Sequence, residues 1–264
     1  GDVYKRQPED LLEQADTVLS HVRSTDERAV VTGGGVGVSA TASCLMNSEG
    51  ILSSGITTSH GIGVQVSIDV DGQLTSSWQG QSGRSLLSAV PECVSRAVHW
   101  AQVTQNPLNV ESSAVETPVL LTSEGFSPLF SMVVPPAMTG EKMVRKESFW
   151  SESMGKEVLN PTLSLYDDGL LNGGMSSGSR DAEGVPRQRQ TLVENGTLSN
   201  MLWSTRDAAQ QVAEGRIEEA FSTGSASSGG HQSPPSTGCT ELFLTSSQPS
   251  MAMEQVLETM GDGY

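Results

Sequence analysis

Leu163-Ser-Leu-Tyr-Asp-Asp-Gly169, Asp181-Ala-Glu-Gly-Val-Pro186 and Leu192-Val-Glu-Asn-Gly-Thr-Leu-Ser-Asn200 follow one another in a single stretch, and their order decides the fold. The first piece reads as a strand running into an acidic glycine turn. The second reads as a loop whose backbone is fixed by Pro186. The third reads as a second β-rich segment. Strands are therefore expected near residues 162–166 and 192–203.

Toward the N-terminus, Pro8 suits the first position of a helix, where its missing N–H costs nothing. Leu11, Leu12, Ala15, Val18, Leu19 and Val22 fall on one face at helical spacing. The period switches to two from Val36 to Met46, which predicts a half-buried strand closed by the turn Asn47-Ser-Glu-Gly50. A second alternating run, Ile62 to Val70, ends at Asp71-Gly72, a hairpin signal, and returns through Leu74 to Trp78. Leu86 to Ala101 reads as a helix kinked at Pro91. Residues 106–117 are polar and mark a boundary.

Beyond it, Pro118 to Leu121 reads as a short buried strand. Segment 124–140 reads as part helical, interrupted by Pro128, Pro135 and Pro136. Helices are expected at Asp207 to Ala213 and Met251 to Met260, with a long Ser/Gly/Pro loop from Ser222 to Gly238. Helices mixed with antiparallel hairpins give an α+β fold. Its expected parts are a central α+β domain at 8–112 and a C-terminal β-rich domain at 117–264, truncated at its end. Residues 1–7 look like a non-native junction and are set aside.

The 264 residues are long enough for real cores. Only 17% are charged, and the formal net charge is −16, which argues against a phosphate-tracking surface. No apolar run approaches the length of a membrane span, and no signal peptide is visible. Cys44, Cys93 and Cys239 are odd in number and far apart. They fit buried or free thiols in a reducing compartment, so a cytoplasmic location is expected.

Several landmarks occur in order: Asn47-Ser-Glu-Gly50, Thr117-Pro-Val-Leu-Leu121, Glu147-Ser-Phe149, Met154-Gly-Lys-Glu-Val158, the three pieces quoted first, and Ser222-Thr-Gly-Ser-Ala226. As an ordered set they resemble the TldD/PmbA family, two-subunit metallopeptidases formerly named modulators of DNA gyrase. Ser225 stands where the family carries Asn. The resemblance covers most of residues 8–264. It implies an N-terminal α/β domain before residue 8 and a further β-rich stretch after Tyr264.

In the family's catalytic subunit, His-Glu-x-x-x-His lies on a helix soon after the opening strand, two imidazoles holding zinc and a Glu taking a proton from metal-bound water. The corresponding stretch here is 128–140, where Ser131, Met132 and Pro136 stand at the motif positions. None of the three can do that chemistry, and Pro136 disfavours continuing the helix. His21, His60, His99 and His231 are mutually distant, and none is followed by Glu. The resemblance thus implies the PmbA (TldE) type of subunit, with no metal or cofactor of its own and zinc expected in the partner.

Other candidates carry competing readings. Asp167-Asp168 and Asp181 with Glu183 suit general acid/base pairs or a cation site. They equally suit a turn closed by Asp168-Gly169 and a loop in which Asp181 accepts backbone hydrogen bonds, and acidic turn residues are common. Asp168, Asp181, Glu183 and Arg187 are the candidates for a substrate groove. Gly33-Gly-Gly-Val-Gly37 lacks the residues of a phosphate loop and reads as a flexible turn between strands. His60 reads as a loop residue at a strand start, and His231 lies in the long loop. Ser131 and Ser148 have no His nearby in sequence. Asn195-Gly-Thr197 matches a sequon without a secretion signal. Arg180, Arg187, Arg189, Lys142, Arg145 and Lys146 read as a solvated basic face, or more sharply as a contact for an acidic partner or a peptide carboxylate.

The expectation is a non-catalytic subunit that supplies cavity wall and peptide-binding surface to a TldD-like zinc-bearing partner acting on unfolded peptides. An exposed edge at Thr162–Tyr166 or Leu192–Leu202 would take extended peptide. The rival readings are a homodimeric scaffold without a peptidase role and a DNA-linked gyrase regulator, the latter disfavoured by the charge.

Overall fold

The computed structural model describes residues 3–107, 117–228, 230 and 232–260. It divides into two compact units, one of residues 1–44, 54–111 and 173–175, the other of residues 45–53, 112–172 and 176–264. Antiparallel sheets with packed helices make the fold α+β.

The first unit is built on a three-stranded sheet in the order β1 (Ala29–Met46), β2 (Leu52–Val70), β3 (Gln73–Gly83). The alternation read from Ile62 to Val70 is the inward face of β2: Ile62, Val64, Val66 and Ile68 are all buried. Helices α1 (Pro8–Thr25) and α2 (Glu92–Val103) cover them with Val18, Val22, Val94, Ala97, Val98 and Ala101. Each fully buried aliphatic side chain contributes roughly 1.5–3 kcal/mol. The β2–β3 register runs unbroken from His60↔Gly83 to Val70↔Gln73, so β3 extends well past Trp78. Residues 3–7 form a short helical turn and a capping box on α1, with Val3 1% exposed.

Three expectations change in this unit. The glycine run is no turn: it lies inside β1, where Gly34 takes φ +135° and a Cβ would sit 2.3 Å from the Gly63 carbonyl oxygen. Gly34 there permits a close approach of two strands rather than a reversal. Pro91 does not kink a helix but precedes α2 as its N-cap, leaving Leu86, Leu87 and Val90 outside it. His60 is no loop residue but a 2% exposed member of β2.

In the second unit, a sheet in the order β6-β5-β4-β9 uses β4 (Leu163–Asp168), β5 (Arg189–Glu194), β6 (Thr197–Leu198) and β9 (Leu242–Ser246), all antiparallel. Leu165, Leu192, Val193 and Leu198 form its core with Met138, Trp150 and Leu202. Asn195 (φ 47°) and Gly196 (φ 81°) make the tight β5–β6 hairpin. Of the expected peptide-binding edges, β4 at Thr162–Tyr166 is paired on both sides and β5 lies between β4 and β6, whereas β6, within Leu192–Leu202, is the end strand of the sheet, with Thr197 in an isolated antiparallel bridge to Glu157. Strand β9 is absent from the sequence reading.

Residues 118–121 form no strand, and Val119 is 63% exposed. Helix α3 (Ser123–Ala137) runs unbroken through all three prolines. Pro135 and Pro136 fall in its last turn, where their fixed φ is helical and only the carbonyls of Ser131 and Met132 lose their usual donors. Pro136 therefore helps to end the helix rather than prevent it. Helices α4 (Gly140–Val144), α5 (Thr205–Ala213) and α6 (Met253–Met260) complete the unit, and the long loop contains the short pair β7 (Ala226–Ser227) and β8 (Ser236–Thr237). The boundary at 106–117 lies largely outside the described residues, as does His231.

Candidate functional site

The acidic loop is a set of structural ties. Asp168 Oδ1 accepts the Leu170 N–H at 3.0 Å, closing the turn after β4. Asp181, 4% exposed, accepts Glu183 N–H (3.0 Å) and Val185 N–H (2.9 Å) on Oδ1 and Ala226 N–H (3.0 Å) on Oδ2. It pins the loop to itself and to β7. Glu183 accepts the N–H groups of Thr205 at 2.6 Å and Arg206 at 3.1 Å, so its carboxylate sits on the N-terminus of α5. A negative charge there is stabilising.

Arg187 reaches the carbonyls of Arg180 (3.2 Å) and Gly224 (3.4 Å) and the Thr240 hydroxyl (3.5 Å). Asp167 is buried and accepts the N–H and hydroxyl of Thr240, each at 2.7 Å. Each of the four groove candidates thus already has protein partners. Ser148 is likewise tied, donating to Ala137 O (2.9 Å) and accepting from Trp150 N–H (3.1 Å).

A cleft of about 400 Å³ lies beside α3 in the same unit. Ser131, Pro135 and Pro136 form one wall, Thr139, Glu141 and Lys142 another, and Asp207 with residues 236–239 the rest. Ser131 and Pro136, two of the three residues that the resemblance sets at the zinc-motif positions, line this cleft. Met132 is 70% exposed and does not line it. Sequence reading missed Asp207 and residues 236–239, because nothing local in 205–213 or in the long loop marks them as neighbours of α3.

These residues do not fit a zinc ion. Ser131 and Pro136 bring neither imidazole nor thiolate. Glu141 is paired with Arg145 at 2.8 Å. Asp207 holds the N–H and hydroxyl of Thr237 at 3.1 and 2.7 Å. The Cys239 thiol is pushed up to about 12, first by burial and then by the charge of Asp167, so it is not a ready thiolate. Elsewhere, His21 meets the Ser95 hydroxyl at 3.0 Å, and His60 meets Gln14 Oε1 at 2.9 Å and the Leu87 N–H at 2.8 Å. Among the described residues all three cysteines are free, and no helix is long and apolar enough to cross a membrane.

Comparison with known proteins gives a consistent picture. The family model described as the PmbA/TldA metallopeptidase C-terminal domain matches residues 114–264. The chain is 27% identical over 243 residues to an uncharacterized protein of Methanocaldococcus jannaschii, covering 92% of this chain and 53% of that protein. It is 26% identical over 204 residues to metalloprotease PmbA of Escherichia coli O157:H7, covering 76% and 45%. A TldD homolog of Haemophilus influenzae is 26% identical over 172 residues, covering 62% and 36%.

The fold is that of TldE from Thermococcus kodakarensis, with a TM-score of 0.82 at 22% identity over 97% of this chain and 56% of the other. A putative modulator of a DNA gyrase from Thermotoga maritima superposes with a TM-score of 0.81 at 22% identity, over 98% of this chain and 56% of the other. The chain spans about half the length of the first two curated relatives, at 53% and 45%.

Proposed function

This chain belongs to the PmbA/TldD metallopeptidase family, and from that premise we propose that it is the non-catalytic subunit of a two-subunit peptidase. In this reading a TldD-like, zinc-bearing partner cuts unfolded peptides, while this chain supplies cavity wall and peptide-contacting surface. What supports it is the chemistry of α3: Ser131, Met132 and Pro136, which the resemblance sets at the zinc-motif positions, bring no imidazole and no carboxylate, and the cleft lined by Ser131 and Pro136 offers no ligand set for the ion. The free cysteines support a reducing, cytoplasmic compartment as part of the same proposal. The net charge of −16 supports a function without direct nucleic-acid contact.

Zinc retention tests the assignment of roles. After incubation with zinc and extensive dialysis, this chain is expected to keep none, while a zinc-motif relative from the same genome keeps a stoichiometric amount. Stoichiometric zinc on this chain, lost when Asp207 is changed, would overturn the non-catalytic assignment.

A further inference from the structure

Six basic residues stood out in the sequence of this acidic chain, and the structure separates one from the rest. Arg145 pairs with Glu141 (2.8 Å) and Glu147 (3.6 Å), and Lys146 with Glu152 (3.0 Å). Arg180 donates to the Gly184 carbonyl at 2.6 Å, Arg187 is tied as described, and Arg189 lies over the Tyr166 ring at 3.8 Å. Among the described residues Lys142 and Arg189 of the six have neither an ion pair nor a hydrogen bond from the charged group, and Arg189 has the Tyr166 ring beneath it whereas Lys142 has no such contact. It is half-buried, and it lines the cleft beside α3.

In a chain with 31 acidic residues against 15 basic ones, a half-buried ammonium without a counter-charge is unusual. Glu141, its neighbour on α4, is engaged by Arg145. Across the cleft, Asp207 takes both of its hydrogen bonds from Thr237 on Oδ2, so Oδ1 has no donor among the described residues. The cleft therefore sets the Lys142 cation and the open Asp207 Oδ1 beside the apolar wall of Pro135 and Pro136, with Glu141, bound through Oε1 to Arg145, also in its lining. The Cys239 thiol stays neutral and adds no opposing charge.

We propose that this cleft binds the free C-terminal end of a peptide. The terminal carboxylate meets Lys142, the last amide N–H donates to Asp207 Oδ1, and the last side chain packs against Pro135 and Pro136. Carboxylate, adjacent N–H and side chain occur together at every peptide C-terminus, so recognition is indifferent to the rest of the sequence. The choice of a peptide as the anion's carrier rests on the accessory-subunit reading above.

The test compares N-acetyl-trialanine bearing a free C-terminus with the same peptide as its C-terminal amide, titrated into the full chain. Amide shifts of Thr237 and Gly238 and calorimetry report binding. The free acid is expected to bind about tenfold or more tightly than the amide. Lys142→Met should erase the difference and Lys142→Arg should restore most of it, with unchanged unfolding curves for both variants. Equal binding of the two peptides, a preference that survives Lys142→Met, or no binding of either would each overturn the proposal. Because the measurement needs no partner and no cleavage, it fails separately from the accessory-subunit reading.

Discussion

Trp203 lies flat against the backbone of Gly140: a Cβ built on that glycine would stand 2.0 Å from Cε2 and 2.2 Å from Cζ2 of the indole. The contact is reinforced by the Gly140 N–H, which donates to the Leu202 carbonyl at 2.8 Å. Together they fix the start of α4, and hence the placement of Glu141 and Lys142 on the cleft wall. Gly140→Ala is expected to destabilise the chain by about 1–3 kcal/mol, because Trp203 is buried and has no room to withdraw. Urea unfolding reads this directly, and an unchanged midpoint would show that the contact is slack.

Glu183 acts as a helix cap. Glu183→Gln keeps the shape but removes the charge facing the α5 N-terminus, and Glu183→Ala removes the acceptor as well. The expected order of stability is parent, Gln, Ala, with about 0.5–2 kcal/mol lost in the alanine variant. Were Glu183 a groove acid instead, both variants would unfold like the parent.

Asp181 and Asp168 look alike in sequence and should respond differently. Asp181→Asn turns one acceptor into a donor facing either the Glu183 and Val185 N–H groups or the Ala226 N–H, at a cost of about 1–3 kcal/mol. Asp168→Asn preserves the single turn bond to Leu170, and its effect should stay within about 0.5 kcal/mol. Similar losses in both variants would contradict this division.

His60 gives the first unit a pH dependence. Burial, and secondarily the charge of Arg6, hold its pKa below the usual 6.5, and Nδ1 accepts the Leu87 N–H while Nε2 meets Gln14. Below about pH 6.5 the unfolded chain takes up a proton that the folded chain withholds, so stability rises with pH in that window. Stability from His60 should therefore fall between about pH 7 and about pH 5. His60→Asn should flatten that slope, as read from urea midpoints across the range, and a parallel slope in both proteins would remove His60 as the cause.

What the sequence made legible was local. The alternation along β2, the stripes of α1 and α2 and the Asp71-Gly72 hairpin depend on neighbours within a few residues, as do the Asx turns of Asp168 and Asp181. What escaped it depends on distant partners. Glu183 meets Thr205 and Arg206, His60 meets Gln14 and Leu87, and the cleft beside α3 is closed by residues 236–239. The glycine run misled because Gly in a strand core and Gly in a turn have the same local composition. Only the Gly63 carbonyl across the sheet distinguishes them. Pro135 and Pro136 misled because the usual penalty assumes a helix interior, whereas they occupy the last turn of α3; Pro128 lies in its interior, and the helix continues through it.

Peptide cleavage by the pair distinguishes an accessory subunit from a scaffold. This chain and a zinc-motif relative from the same genome would be purified separately and together, and unfolded casein offered to each preparation. Cleavage is expected from the pair alone, abolished by replacing the partner's motif histidines and left intact by replacing Ser131 of this chain with Ala. Full activity of the relative by itself, with no gain and no complex on adding this chain, would contradict it and leave the homodimeric scaffold as the better description.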